Sequence, residues 1–140
     1  MKQDDTPAGF EPARFSPGFL DHGGPYYLGA RKEGAQAVGL KIMEHHINYR
    51  DMAHGGALAT LADVAMSWQV YSSEELPVPV SSSTMTTNFL APARLGDWIV
   101  AETRIDRIGG RSAHVSGRIM RGDETLLTMS GVYTMHRRDA

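Results

Sequence analysis

Apolar and polar positions change period along the chain, and the changes divide it into elements. Residues 36–46 alternate, with Val38, Leu40 and Ile42 on one side and Ala37, Gly39, Lys41, Met43 and His45 on the other. Alternation of this kind marks a half-buried strand, and the Val38-Leu40-Ile42 side is the inward one. Residues 26–32 read as a preceding strand, with a turn at Glu33-Gly34. The period then lengthens. Leu58, Leu61, Ala62, Ala65 and Trp68 recur at i, i+3, i+4, i+7 and i+10, the stripe of a helix over Gly55–Tyr71. Ala57, Ala59, Ala62 and Ala65 keep that helix thin, so neighbours can close around several of its sides. Residues 72–79 end it. Strands follow at Val80–Phe89, 97–108, Ser112–Arg121 and 124–136. They are separated by turns at 92–96, Gly109-Gly110 and Arg121-Gly122-Asp123, the last two of hairpin type.

The first 25 residues behave differently. Pro7, Pro12, Pro17 and Pro25, with Gly9, Gly18, Gly23 and Gly24, break any long element there. Short helical turns are expected around 12–15 and 17–22, with Phe10, Phe15, Phe19 and Leu20 covering part of the core. The predicted organisation is an irregular segment over 1–25 and one domain over 26–140. The order β–β–α–β–β–β–β predicts an α+β fold in which a curved antiparallel sheet wraps around one long central helix.

Composition narrows the function. The 140 residues carry a formal net charge of −2 without a basic patch, so no nucleic-acid partner is expected. There is no cysteine, which removes disulfides and thiolate nucleophiles. No apolar run approaches the roughly 18 residues of a membrane span, and the polar start lacks a signal-like apolar region. No membrane association and a cytoplasmic location are the default expectations. No metal-ligand constellation is visible, and no cofactor is expected.

Candidate chemistry concentrates in residues 45–63. A strand-like segment reaches Asn48, a polar turn follows, then His54-Gly55-Gly56, then the apolar helix bearing one carboxylate, Asp63. Glycines at a helix start leave backbone N–H groups uncovered where the dipole favours negative charge. An oxyanion forming at a carbonyl would be stabilised there, and a nearby carboxylate could drive water onto it. Acyl transfer or hydrolysis is the chemistry that this combination suggests. Gly56, Thr60, Asp63 and Ser67 form one small polar seam, away from Leu58 and Leu61. By pattern alone, Asp63 is equally a residue that faces solvent or pairs with an arginine.

Distance adds a constraint. Seven residues of helix span about 10 Å, so the glycine N–H groups and the Asp63 carboxylate of one chain cannot both touch one carbonyl carbon. If both act, they come from two chains packed about a two-fold axis. Asn48 would orient water or the substrate carbonyl, or else is a turn residue bonding its own backbone. A triad of His54 with a serine is disfavoured because no G-x-S-x-G elbow exists; His54 is expected neutral, fixing the Asn48 turn or lining the pocket. His45 and His46, adjacent in a strand, would point to opposite faces. Arg94, Arg107, Arg111, Arg137 and Arg138 are candidates for phosphate groups, with Arg111 on its hairpin and Arg94 foremost.

The run N-x-x-x-x-x-H-G-G-x-x-x-x-L-x-D, from Asn48 to Asp63, resembles the hotdog-fold acyl-CoA thioesterases of the phenylacetate-degradation type, in the 4-hydroxybenzoyl-CoA thioesterase-like superfamily. Asn88-Phe89-Leu90-Ala91-Pro92-Ala93-Arg94-Leu95-Gly96-Asp97 is similar to that family's strand-to-turn segment, and the resemblance covers roughly residues 35–137. One departure is Asp51, where the family often has glycine; Asp tolerates left-handed backbone better than most residues. The resemblance implies an acyl-CoA substrate, Asp63 as catalytic carboxylate (general base or nucleophile), Gly55 as carbonyl-polarising N–H and a dimer or dimer of dimers. Counting back seven residues from Phe89, as the family's pattern does, gives Ser82 as the hydroxyl beside the site. Ser83, Gly56, Thr60, Arg111 and Arg94 would line the substrate path. The alternatives are a hotdog hydratase or dehydratase using His54 and Asp63, and a non-catalytic acyl-CoA or lipid-binding module.

Overall fold

The computed structural model describes residues 5–30, 33 and 35–137. Among these the strands are β1 (Phe10–Ala13), β2 (Tyr26–Gly29), β3 (Gln36–Lys41), β4 (Val80–Phe89), β5 (Trp98–Ile108), β6 (Ser112–Arg121) and β7 (Glu124–Met135). Two helices join them, α1 (Phe19–Gly23) and α2 (Gly55–Tyr71). All strands belong to one antiparallel sheet in the order β1-β2-β3-β5-β6-β7-β4. The sheet curls around α2, which packs against β3, β4, β5, β6 and β7. This is the hotdog arrangement that the pattern predicts.

The alternation in β3 places Val38 and Leu40 fully inside, and Ile42 just beyond it is equally buried. They meet Leu61, Met66 and Val70 of α2 and Ile99, Ile119 and Leu127 of the later strands in one core. The one polar side chain that α2 drives deep into this core is Gln69, and it is satisfied. Its Oε1 accepts from the Gln36 N–H at 3.0 Å and from the Thr103 hydroxyl at 3.2 Å, as a buried amide requires.

Three local expectations change. Residues 10–13 pair with β2 as a strand rather than turning as a helix around Pro12. Proline is tolerated there because β1 is a sheet edge. Phe10 is held by an edge-on contact with Trp98 at 5.2 Å, and Trp98 lies so close over Gly39 that a Cβ there would stand 2.3 Å from its ring. The first predicted strand reaches Gly29; Arg31 and Lys32 at its expected end lie outside the described residues. The second predicted strand stops at Lys41, and Glu44–His46 forms a 3-10 turn. His45 and His46 therefore lie side by side, ring centroids 4.0 Å apart and planes tilted by 43°, instead of facing opposite ways. Their Nε2 atoms bond the carbonyls of Gly24 and Gly23, each at 2.6 Å. The chain leaving β3 is thus tied to the α1–β2 junction, and this sets where α2 begins.

Candidate functional site

The Asp63 carboxylate is the centre of the polar seam, and two hydroxyls fix it. Ser82 Oγ donates to Asp63 Oδ1 at 2.7 Å, and Tyr133 Oη donates to the same oxygen at 2.8 Å. Ser82 and Tyr133 are direct cross-strand partners in the β4–β7 ladder, so both project from one point of the sheet toward α2. The ladder slips by one residue immediately afterwards, between Ser82 and Thr84. Bulges of this kind re-aim side chains beside active sites. Tyr133 is fully buried, and its phenol is pushed well above the ordinary tyrosine value by burial first and then by the negative charge of Asp63. It stays protonated and acts as a donor.

Asp63 and Ser82 stand on the wall of an open cavity of about 740 Å³ that the N-terminal segment completes. Its other walls come from Phe15, Leu20, Leu28, Val64, Trp68 and Tyr71, among others. Phe15 sits edge-on to Trp68 at 5.3 Å, and Tyr71 lies 5.6 Å from the indole on the other contact. The Arg14–Asp21 pair, with bonds of 2.9 and 2.8 Å, staples this segment in its turn. The arginine holds the Asp21 carboxyl down at about 2. The result is a largely apolar chamber with a carboxylate at its edge.

The helix start has the exposed donors that the glycines predict. His54 is the N-cap, and its carbonyl takes the Ala57 and Leu58 N–H groups. No described residue accepts from the N–H of Gly55 or Gly56. Phe89, at the far end of β4 from Ser82, lies over Gly55. The His54 side chain is exposed and makes no cap bond. Its backbone N–H donates to the His46 carbonyl at 2.8 Å. Gly55 and Asp63 occupy one straight helix, and the structure does not bring them together within one chain.

Asn48 spends its carbonyl oxygen locally. Oδ1 accepts from the Arg50 N–H at 2.8 Å and the Met52 N–H at 3.2 Å, holding a turn in which Asp51 takes φ 61°. The left-handed backbone at this position is therefore taken up by aspartate in this chain. No described residue accepts from Asn48 Nδ2, which is left to donate.

The remaining predicted residues separate. Thr60 bonds the Gly56 carbonyl at 2.8 Å and borders a small cavity with His54 and Gly56 at the helix start, not the Asp63 chamber. Ser83, the bulged residue, bonds Thr134 at 2.5 Å and is no part of that chamber's wall. Arg111 and Arg94 are exposed and line neither cavity. Arg137 is committed to Glu74 and to the carbonyls of Gly109 and Gly110. Arg138 lies outside the described residues. Among the described residues no group of three or more His, Asp or Glu could hold a metal ion, and no helix is long and apolar enough to cross a membrane. The sequence reading misses Tyr133: in a strand of alternating residues it looks like core, and only the β4–β7 register brings its hydroxyl to Asp63.

A family profile described as "Thioesterase superfamily" matches residues 51–128. A Pseudomonas aeruginosa protein named "Putative esterase PA0474" is 36% identical over 92% of this chain and 96% of its own. Mouse acyl-coenzyme A thioesterase 13 is 30% identical over 69% of each chain. Among solved structures, the PaaI protein of the E. coli phenylacetic acid degradation operon superposes with a TM-score of 0.73 over 80% of both chains at 22% identity. A Streptococcus pneumoniae "Hypothetical Thioesterase Protein with Coenzyme A" gives 0.73 over 82% of this chain and 88% of that one, at 20% identity. These two show the shared fold.

Proposed function

Because the chain belongs to the thioesterase superfamily, we propose that it hydrolyses the thioester of an acyl- or aryl-CoA to free acid and coenzyme A, with Asp63 as the acting carboxylate. The observation that carries this reading is the Asp63 carboxylate, anchored through one oxygen by Ser82 and Tyr133 at the wall of an apolar chamber. The name of the mouse relative and the coenzyme A in the streptococcal structure favour coenzyme A as the leaving thiol.

The acyl group occupies the chamber and the thioester carbon lies beside Asp63. In the general-base route the carboxylate takes one proton from water as the water oxygen bonds to the thioester carbon. The carbon–sulfur bond then breaks, and the thiolate of coenzyme A recovers the proton. In the nucleophilic route Asp63 displaces the thiolate first, and water hydrolyses the resulting anhydride. In both, negative charge grows on the carbonyl oxygen and needs a donor. Gly55 N–H supplies it from a second copy of the chain, because about 12 Å of helix separates the two groups within one. Asn48, with Oδ1 tied into its turn, contributes through Nδ2 to the substrate carbonyl or the water. Arg111 and Arg94, exposed and unpaired among the described residues, suit the phosphates of coenzyme A.

The test is thiol release from acetyl-, hexanoyl- and benzoyl-CoA by the wild type and by Asp63→Asn. Release by the wild type alone supports the reading. Hydration of crotonyl-CoA without thiol release would replace it with the hydratase alternative, and binding of acyl-CoA without turnover with the binding module.

A further inference from the structure

We infer that Tyr133 is a positioning residue that, together with its cross-strand partner Ser82, immobilises Asp63 through Oδ1 and so assigns the reacting role to Oδ2. This rests on the thioesterase reading and deepens it. Both hydroxyls that donate to the carboxylate reach Oδ1, at 2.7 and 2.8 Å, and no described residue donates to Oδ2. A carboxylate held on one oxygen by two hydroxyls has its plane fixed, and its second oxygen keeps both lone pairs for water or for the thioester carbon.

The sheet is built to allow this. Ser82 and Tyr133 face each other in register, and the slip between Ser82 and Thr84 follows at once. Gly131 lies two residues before Tyr133 on the same face of β7. A Cβ there would stand 2.8 Å from the Tyr133 ring and 3.1 Å from the Thr84 carbonyl. The missing side chain is what lets the ring lean along the strand toward Asp63. A tyrosine whose only task was to fill the core would not need its hydroxyl delivered to a carboxylate, and phenylalanine would serve.

The experiment pairs kinetics with a readout that needs no turnover. Tyr133→Phe keeps the ring and removes one hydroxyl. On an acyl-CoA that the wild type hydrolyses, kcat is expected to fall roughly 10-fold with KM within about 2-fold, the size of one lost charge-assisted hydrogen bond. Ser82→Ala, on an exposed strand, should behave alike, and the double variant should lose less than the product of the two effects. In parallel, the protein is labelled with 13Cζ-tyrosine; there are only five tyrosines, and the Tyr133 signal is assigned by its loss in Tyr133→Phe. That signal should move in Asp63→Asn, where the charged acceptor is gone. An unchanged kcat in Tyr133→Phe, or a rise in KM alone, overturns the inference. So does a Tyr133 signal identical in wild type and Asp63→Asn. Should the wild type release no thiol from any acyl-CoA, the thioesterase reading falls, and the carbon signal alone decides whether Tyr133 holds Asp63.

Discussion

At the scale of single residues, Asp63 is where replacement separates chemistry from architecture. Asp63→Asn keeps the shape and both hydroxyl contacts within reach but removes the carboxylate proposed as base or nucleophile. We expect kcat to fall by roughly 100-fold or more, with substrate binding nearly kept, in steady-state thiol release. Asn48→Ala should cost less. Its Oδ1 holds the turn of the left-handed Asp51 and only its Nδ2 is free to donate, so the loss should stay below the 2.7–4 kcal/mol or so of a full oxyanion donor. Much of this site is legible in the sequence. A carboxylate on a thin apolar helix needs a partner, and Gly-Gly at a helix start needs an acceptor. Ser82 is legible only through the family's spacing from Phe89. Tyr133 is not legible, since its contact with Asp63 spans 70 residues and depends on which residue of β4 faces which residue of β7.

At the scale of elements, α2 and the long strands follow from periodicity because each buries one face in a single core. The junctions do not. The 3-10 turn of Glu44–His46 exists because His45 and His46 find the carbonyls of Gly24 and Gly23, partners about twenty residues earlier that no local pattern reveals. His46 also accepts the Met43 N–H at Nδ1, at 2.9 Å. With Nδ1 as acceptor, Nε2 carries the proton toward Gly23, and the ring is neutral. Burial, more than any other cause, lowers its pKa from the ordinary imidazole value of 6.5. The unfolded chain therefore binds a proton more readily than the folded one between that lowered value and 6.5. The stability contribution is full above 6.5 and is lost as pH falls below it. Thermal melts should show Tm declining on acidification through this window, and His46→Gln should flatten that part of the curve. A wild-type Tm that rises as pH drops below 6.5 would contradict the assignment.

At the scale of the whole molecule, the proposed mechanism leaves the site of one chain unfinished. β4 is a sheet edge of ten residues without a charge, the kind of edge that another strand covers. Phe89, Leu90 and Leu95 beside the helix start are each more than half exposed. A second copy would cover both and carry its Gly55 to Asp63. Gly55→Pro tests this without disturbing the helix. Gly55 is the first helical residue, where proline's missing N–H breaks no helical bond. His54 before it already has φ −56° and ψ 139°, the extended conformation that proline demands of its predecessor. A Cβ at Gly55 would meet Phe89 at 3.4 Å, an ordinary contact. We expect Gly55→Pro to fold as a dimer and to lose roughly 100-fold or more in kcat, as for a deleted oxyanion donor. Mixing then decides where the two groups meet. Gly55→Pro and Asp63→Asn chains refolded together in equal amounts give half heterodimers, if pairing is random. Each heterodimer holds one site with both defects and one with neither, so about a quarter of wild-type activity should return. Sites built within single chains would carry one defect each in every combination, and nothing would return.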